Sequence, residues 1–262
     1  MGLEANIFKN VINGKNVVDD LILLDKNGVL DEVLPELTAL KSDPGQKGHK
    51  DNFLHTLQVV RQTCEMTDNK WLIVAAILHD IGKAPTKQYI KGIGWTFHNH
   101  EDVGSKMISQ IFKRLELDPS KMEYVKNIAF WHGIVKELSD DNTSDSAIRR
   151  FDKNTIDFQD DLLLFCKCDI TTKYAEKRQR FVNNVDDLKR RILEVRATDE
   201  AAKWRCPVTG EDIMKYLGIG AGRIVGQVKA DIEKAIKNGE INDDRQEAWD
   251  YMVEISKKYM GK

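Results

Sequence analysis

Eight consecutive apolar residues, Trp71-Leu72-Ile73-Val74-Ala75-Ala76-Ile77-Leu78, run directly into His79-Asp80 and then Ile81-Gly82-Lys83. A helix that is apolar all round has no face to give to water, so it must be buried. Its last turn then carries an imidazole and a carboxylate into the interior, where an unpaired charge is expensive. A bound metal ion removes that cost. Taken alone, the pair reads equally well as a core histidine beside a helix-ending Asp, with Gly82 as the C-cap.

Further residues fall on the apolar stripes of their own predicted helices. In Val125-Lys126-Asn127-Ile128-Ala129-Phe130-Trp131-His132, helical spacing continues Val125, Ile128 and Ala129 to His132. His100, Gly104, Met107 and Ile111 share one face, with Gly104 allowing close helix contact. Asp169 lies one turn beyond Phe165, and His55 stands early in the apolar-patterned helix from Phe53 to Cys64. A lone inward His is usually a satisfied core residue and an Asp near a helix end a cap, but a metal site explains all of these groups together. Their types suit a divalent Mn, Fe, Co, Ni or Zn ion better than Ca, and Mg less well, because imidazole is a poor ligand for it. His98 falls off the stripe of His100, and His49 lies in a Gly-rich basic loop that reads as solvent-exposed.

The ordered set His55, His79-Asp80, Asp169 resembles the HD superfamily of metal-dependent phosphohydrolases, and with His100 and His132 its two-metal members. His55-Thr56-Leu57, Leu78-His79-Asp80-Ile81-Gly82-Lys83, His98-Asn99-His100-Glu101 with Gly104, Gly210-Glu211-Asp212-Ile213-Met214 and Gly239-Glu240-Ile241 extend the likeness. Together they resemble the HD-containing rear half of bacterial multifunctional tRNA nucleotidyltransferases. The head of such an enzyme needs a Gly-Gly strand-turn, an Asp-x-Asp metal site and an Arg-Arg-Asp segment. This chain has no Gly-Gly and no Asp-x-Asp, and Arg149-Arg150-Phe151-Asp152 is not that segment. CCA addition by this chain alone is therefore not expected.

The resemblance implies a phosphohydrolase acting on 2',3'-cyclic nucleotides, 2'-nucleotides or RNA 3'-ends. One divalent ion would sit on His55, His79, Asp80 and Asp169, and a second on His100 and His132, bridged by Asp80. The metal lowers the pKa of a water and polarises phosphorus, and hydroxide attacks in line. Ni, Mn or Co would be tried first. Asp80 is read as ligand or proton acceptor, and Lys83, one turn past the pair, as the residue that neutralises phosphate charge. Lys87, Arg149, Arg150 and Lys173 are secondary candidates for phosphate. Two alternatives stay open: an HD 5'-nucleotidase or other cyclic-nucleotide phosphodiesterase, and a non-catalytic module that positions tRNA for a separate nucleotidyltransferase.

At 262 residues the chain can bury a substantial core. Its formal charge of -2 gives no bulk attraction to nucleic acid or membrane, so an RNA contact needs a local basic patch. No signal-peptide pattern and no apolar run of ~18 residues is present, which predicts a cytoplasmic protein without a membrane partner. The four cysteines, Cys64, Cys166, Cys168 and Cys206, are scattered and read as free and reduced. The sequence leaves the oligomeric state open.

The fold class reads as all-α, an HD-domain helical bundle with one small β-hairpin and a C-terminal helical appendage. Helices are expected near 4–13, 29–41, 51–66, 70–82, 100–116, 119–133, 144–150, 157–172, 175–200, 210–217, 222–238 and 244–259. Gln88 to Phe97 reads as a hairpin bordering the metal cleft, where Trp95 and Phe97 can offer a ring to a base or pack beneath the hairpin. Pro207 marks a boundary between an HD domain at 1–204, with N-terminal helices 1–45 packed on it, and a tail at 205–262. In the tail, Leu217-Gly218-Ile219-Gly220-Ala221-Gly222-Arg223 superficially resembles a dinucleotide loop, but no strand precedes it. Two helices joined by a Gly-rich turn fit better, with Arg223 and Lys229 open to phosphates or serving an appendage that only packs.

Overall fold

The computed structural model describes residues 2–41, 51–139 and 143–259, so His49 and residues 42–45 of the N-terminal expectation lie outside the described residues. The chain packs as two units, Met1–Arg196 and Ala197–Lys262. The first contains α1 (Leu3–Asn13), α2 (Val17–Lys26), α3 (Leu30–Val33), α4 (Pro35–Thr38), α5 (Asn52–Met66), α6 (Lys70–Leu78) and α7 (Lys83–Thr86). A two-stranded sheet follows, β1 (Gln88–Ile90) and β2 (Gly94–Thr96), then α8 (His100–Arg114), α9 (Met122–Leu138), α10 (Asp145–Thr155), α11 (Gln159–Cys168) and most of α12 (Ala175–Lys203). The second unit holds α13 (Gly210–Leu217), α14 (Arg223–Lys237) and α15 (Arg245–Tyr259). None of the described helices is long and apolar enough to cross a membrane.

The apolar segment is the axis of the first unit. From Leu72 to Leu78 every residue of α6 is buried, and the helix packs against α5, α9 and α11. Its start is held by polar groups. Asn69 caps the helix by accepting from the backbone N–H of Trp71 and Leu72, and its amide donates to the Tyr124 hydroxyl (3.0 Å) and to Asp161 (3.1 Å). Tyr124 in turn donates to Asp161 at 2.6 Å, so α6, α9 and α11 are tied together at one end.

Helix α6 stops at Leu78, four residues short of the expected end. Gly82 is not a left-handed cap: it adopts right-handed dihedrals (φ -65, ψ -15) at the start of α7. Its necessity is steric. A Cβ at Gly82 would lie 2.0 Å from the carbonyl oxygen of His100 and 2.6 Å from the amide of Gly104, so the turn after α6 touches the backbone of α8 directly. Gly104 supports the same approach from the other side, its own Cβ position lying 3.3 Å from the Gly82 nitrogen.

Other departures have local causes. The expected helix 29–41 is two short helices, because Pro35 forces Leu34 out of helical dihedrals (φ -143, ψ 68) and then serves as the first residue of α4. Helix α2 was not expected: its paired valines and the run Leu21-Ile22-Leu23-Leu24 blur the helical period. The hairpin pairs Tyr89 with Trp95 in antiparallel register.

In the second unit, α14 packs on α13 and α15 around Val208, Ile213, Val228, Ile232, Ala248 and Met252. Thr209 and Asp212 form a capping box at the start of α13, and Gly218 ends it in a left-handed conformation (φ 65). A helix, not a strand, precedes the Gly-rich turn.

Candidate metal centre

Three helix termini and two helix interiors deliver the site. His79 is the residue at which α6 ends, Asp80 follows it, Asp169 closes α11, and His100 opens α8. His55 and His132 lie within α5 and α9. All six inward groups expected from the sequence come together.

Their geometry is set by the backbone. The Nδ1 of His79 donates to the carbonyl of Ala76 (2.9 Å), that of His100 to Phe97 (2.9 Å) and that of His132 to Ala129 (2.7 Å), each three residues earlier. The Nδ1 of His55 meets the Thr171 hydroxyl at 2.9 Å. A carbonyl only accepts, so Nδ1 of these three rings must carry hydrogen, and Nε2 is left facing inward. This is the outer hydrogen bond that orients metal-binding imidazoles.

The inward nitrogens surround two carboxylates. Asp80 Oδ2 lies 3.1 Å from His79 Nε2 and 3.6 Å from His55 Nε2, while Oδ1 lies 3.5 Å from His100 Nε2 and 3.9 Å from His132 Nε2. Asp169 Oδ1 is 3.0 Å from His55 Nε2 and 3.5 Å from His79 Nε2. Four of these buried atoms, His79 Nε2, Asp80 Oδ1, His100 Nε2 and Asp169 Oδ1, have no hydrogen-bond partner among the described residues. Orphaned polar atoms of both kinds converging on one place are what a divalent cation would satisfy. Three overlapping donor groups can hold an ion: His55, His79 and Asp169; His79, Asp80 and His132; His100, Glu101 and His132.

Electrostatics agree with a site that attracts positive charge. Burial opposes charge on His79, yet the nearby carboxylates of Asp80 and Asp169 outweigh it and push its pKa up to about 10. Burial keeps His55 and His132 below the usual imidazole value. It opposes ionisation of Asp80, but the charge of His79 and the close approach of the His100 and His79 imidazoles hold that carboxyl well below its ordinary range. Burial likewise opposes ionisation of Asp169, and the close imidazoles of His55 and His79 hold it low. Phe165 closes the apolar side, its ring centroid 5.4 Å from that of His79 and 6.1 Å from that of His132.

Outside lies an open cleft of about 1330 Å³, lined by His100, Glu101, His132, Asp169 and Lys83, and by Lys136, Lys177 and Arg180 further out. Lys83 reaches it and pairs with Asp80 Oδ2 at 2.6 Å. Lys87, Arg149, Arg150 and Lys173 are not among the lining residues: Lys87 lies over the Trp95 ring (4.7 Å), Lys173 beside Tyr174 (5.6 Å), and Arg149 and Arg150 are exposed on α10. The hairpin side chains do not line the cleft either, and Trp95 packs on Tyr89 (5.2 Å). His98 is exposed.

Two residues at the centre carried no expectation of a role. Glu101 Oε2 lies 3.2 Å from His100 Nδ1, and Gly133 makes room for this carboxylate, since a Cβ there would sit 2.4 Å from Glu101 Oε1. In sequence Glu101 is simply an acid in the first turn of a helix. Thr171 has no pattern to reveal it. All four cysteines are free.

Comparison with known proteins finds a domain match over the same region. Residues 52–157 match the HD domain; His55, His79, Asp80, His100 and His132 fall inside that span and Asp169 just beyond it. The chain is 25% identical over 225 residues to an A-adding tRNA nucleotidyltransferase of Deinococcus radiodurans, covering 84% of this chain and 51% of that protein. It is 32% identical over 118 residues to a multifunctional CCA protein of Haemophilus influenzae, covering 42% and 28% of the two chains. A multifunctional CCA protein of Teredinibacter turnerae is 28% identical over 109 residues, covering 40% and 26%. The chain thus spans between about a quarter and a half of the length of these relatives. It carries an HD domain at residues 52–157.

Proposed function

We propose that this protein is a metal-dependent phosphohydrolase of nucleotides or RNA 3'-ends, acting on 2',3'-cyclic and 2'-phosphate esters. The observation that carries the reading is the convergence of four buried, partnerless atoms, with Nδ1 of His79, His100 and His132 committed to backbone carbonyls. His55, His79, Asp80 and Asp169 would hold one divalent ion, and His100 and His132 a second, with Glu101 an added donor. Asp80 suits a bridging role because its two oxygens face different imidazole pairs. When bound, such an ion supplies Lewis acidity toward a phosphoryl oxygen and lowers the pKa of water. The mixed imidazole and carboxylate donors fit Mn, Fe, Co, Ni or Zn.

The chain's own residues then position the ester. Lys83, on the cleft side of Asp80, offers positive charge to the phosphate, and Asp80 can accept a proton from the attacking water. The water oxygen bonds to phosphorus, one P–O ester bond breaks, and its oxygen leaves on the sugar as a hydroxyl, taking up a proton in place of the one Asp80 accepted. Phe165 keeps the inner wall apolar, which strengthens every charge interaction in front of it.

A second reading concerns the partner. The similarity extends over 225 residues to a protein named as a tRNA nucleotidyltransferase, which favours tRNA contact, with residues 205–262 as a tail that assists it. One substrate panel tests both: purified protein with Mn, Ni or Co, offered 2',3'-cyclic, 3',5'-cyclic, 2', 3' and 5' nucleotides. Preferred turnover of 2',3'-cyclic and 2' esters is expected. Preference for 5' esters would make it a 5'-nucleotidase, and no turnover together with tRNA binding would make it a binding module.

A further inference from the structure

The outer wall of the cleft is net positive, with three cations against the one carboxylate of Glu137. Lys136 of α9 and Lys177 and Arg180 of α12 all line it, and none has an ion-pair partner among the described residues. Arg178 of α12 also lacks such a partner but does not line the cleft, and Arg191 donates to the carbonyl of Thr143. Lys189 pairs with Asp160, Arg190 with Glu194 and Asp187, Arg196 with Asp152, and Lys203 with Glu200. Lys177 and Arg180 are spaced i, i+3 and so share one helix face, and Asn184 continues that face into the same cleft. At its edge Tyr174 is 55% exposed, with Lys177 5.1 Å and Lys173 5.6 Å from its ring centre.

Unpaired cations beside an open aromatic ring form the kind of surface that holds a single nucleic-acid strand: the cations track phosphates and the ring stacks a base. We infer that Lys136, Lys177 and Arg180 form a second phosphate position, with Tyr174 as a base platform, so that the substrate is the end of an RNA strand and not a free mononucleotide. The inference rests on the proposed phosphohydrolase reading and names the substrate class of that site. A mononucleotide carries only the phosphate that reacts, whereas each further nucleotide brings a phosphodiester for this wall. The overall charge of -2 gives the protein no general affinity for polyanions, so the preference must arise locally.

The test is binding, read without turnover. The full chain with Mn(II) is titrated into a 5'-labelled tetranucleotide ending in a 2',3'-cyclic phosphorothioate, with the matching mononucleotide and a polyglutamate as competitors. The expected result is a tetranucleotide preference of about tenfold or more over the mononucleotide, with a salt slope of roughly 0.7 per phosphate held. In Lys177→Ala/Arg180→Ala and Lys136→Ala the ratio of the two affinities falls toward one and the slope flattens; Tyr174→Leu lowers the ratio without changing the slope. Circular dichroism and thermal unfolding verify that these exposed substitutions leave the fold intact. A wild-type ratio near one, an unchanged ratio in the variants, or polyglutamate competing as well as RNA overturns the inference. Strand preference without hydrolysis of any ester would instead overturn the phosphohydrolase reading and leave an RNA-binding wall.

Discussion

The alpha carbon of Gly82 faces the carbonyl oxygen of His100 so closely that a methyl group there would sit 2.0 Å away. No flexible side chain is available to yield, because the obstacle is backbone. Gly82→Ala is expected to push α8 away from the turn after α6, to cost about 1–3 kcal/mol as overpacking does, and to weaken metal binding through displacement of His100. Urea unfolding and metal analysis of the same preparation check this, and a variant with wild-type values in both would show that the contact is slack.

Metal uptake should depend on pH in a defined direction. With its pKa pushed up to about 10, His79 holds a proton on Nε2 at neutral pH, and that proton must leave before the nitrogen can bind an ion. Affinity should therefore rise about tenfold per pH unit between roughly 6 and 9, with about one proton released. Calorimetry in buffers of differing ionisation heat measures the release directly. The paired change His79→Ala/Asp80→Ala should abolish both binding and hydrolysis, and equal metal content in wild type and variant would refute the assignment.

The two faces of Asp80 predict two ions. His100→Ala and His132→Ala should each lower stoichiometry from two toward one while the His55, His79 and Asp169 group keeps its ion. Elemental analysis after dialysis gives the number. A wild-type value of one would make these two histidines pocket groups.

Lys83→Met separates catalysis from metal affinity. The lysine touches Asp80 Oδ2 at 2.6 Å, so its removal relieves a competing positive charge and metal content should be kept or increased. Turnover should fall about 10²-fold, the scale of one electrostatic contact to a transition state. Unchanged kcat at full occupancy would limit Lys83 to holding Asp80 in place.

In the sequence, the candidate ligands stand out where a polar residue interrupts an apolar pattern. His79 and Asp80 end a run with no polar face, and His132 continues a stripe of Val125, Ile128 and Ala129; such positions stand out because burial makes polarity costly. Glu101 did not stand out, since an acid in the first turn of a helix is favoured by the dipole whether or not it has another role. Lys136, Lys177 and Arg180 were invisible for a related reason. An exposed helical cation looks the same in sequence whether it faces bulk water or a cleft, and only the cleft that α9 and α12 both line separates the cases. The end of α6 was misplaced because Gly82 is a common signal for helix termination, while its use here, close backbone approach, leaves no mark in a single chain.

The bonds from Nδ1 of His79 and His132 to carbonyls three residues back make each ring an extension of its own helix. Aim is thus inherited from helical phase and not from the connections between helices. Connections such as residues 14–16 between α1 and α2 could lengthen or shorten over evolutionary time without turning a ring. A single residue inserted within α6 or α9 upstream of its histidine would rotate that ring by about 100° relative to the preceding part of the helix, away from the carboxylates. Homologous chains should accordingly tolerate gaps almost anywhere in this unit except inside the helices that carry the imidazoles.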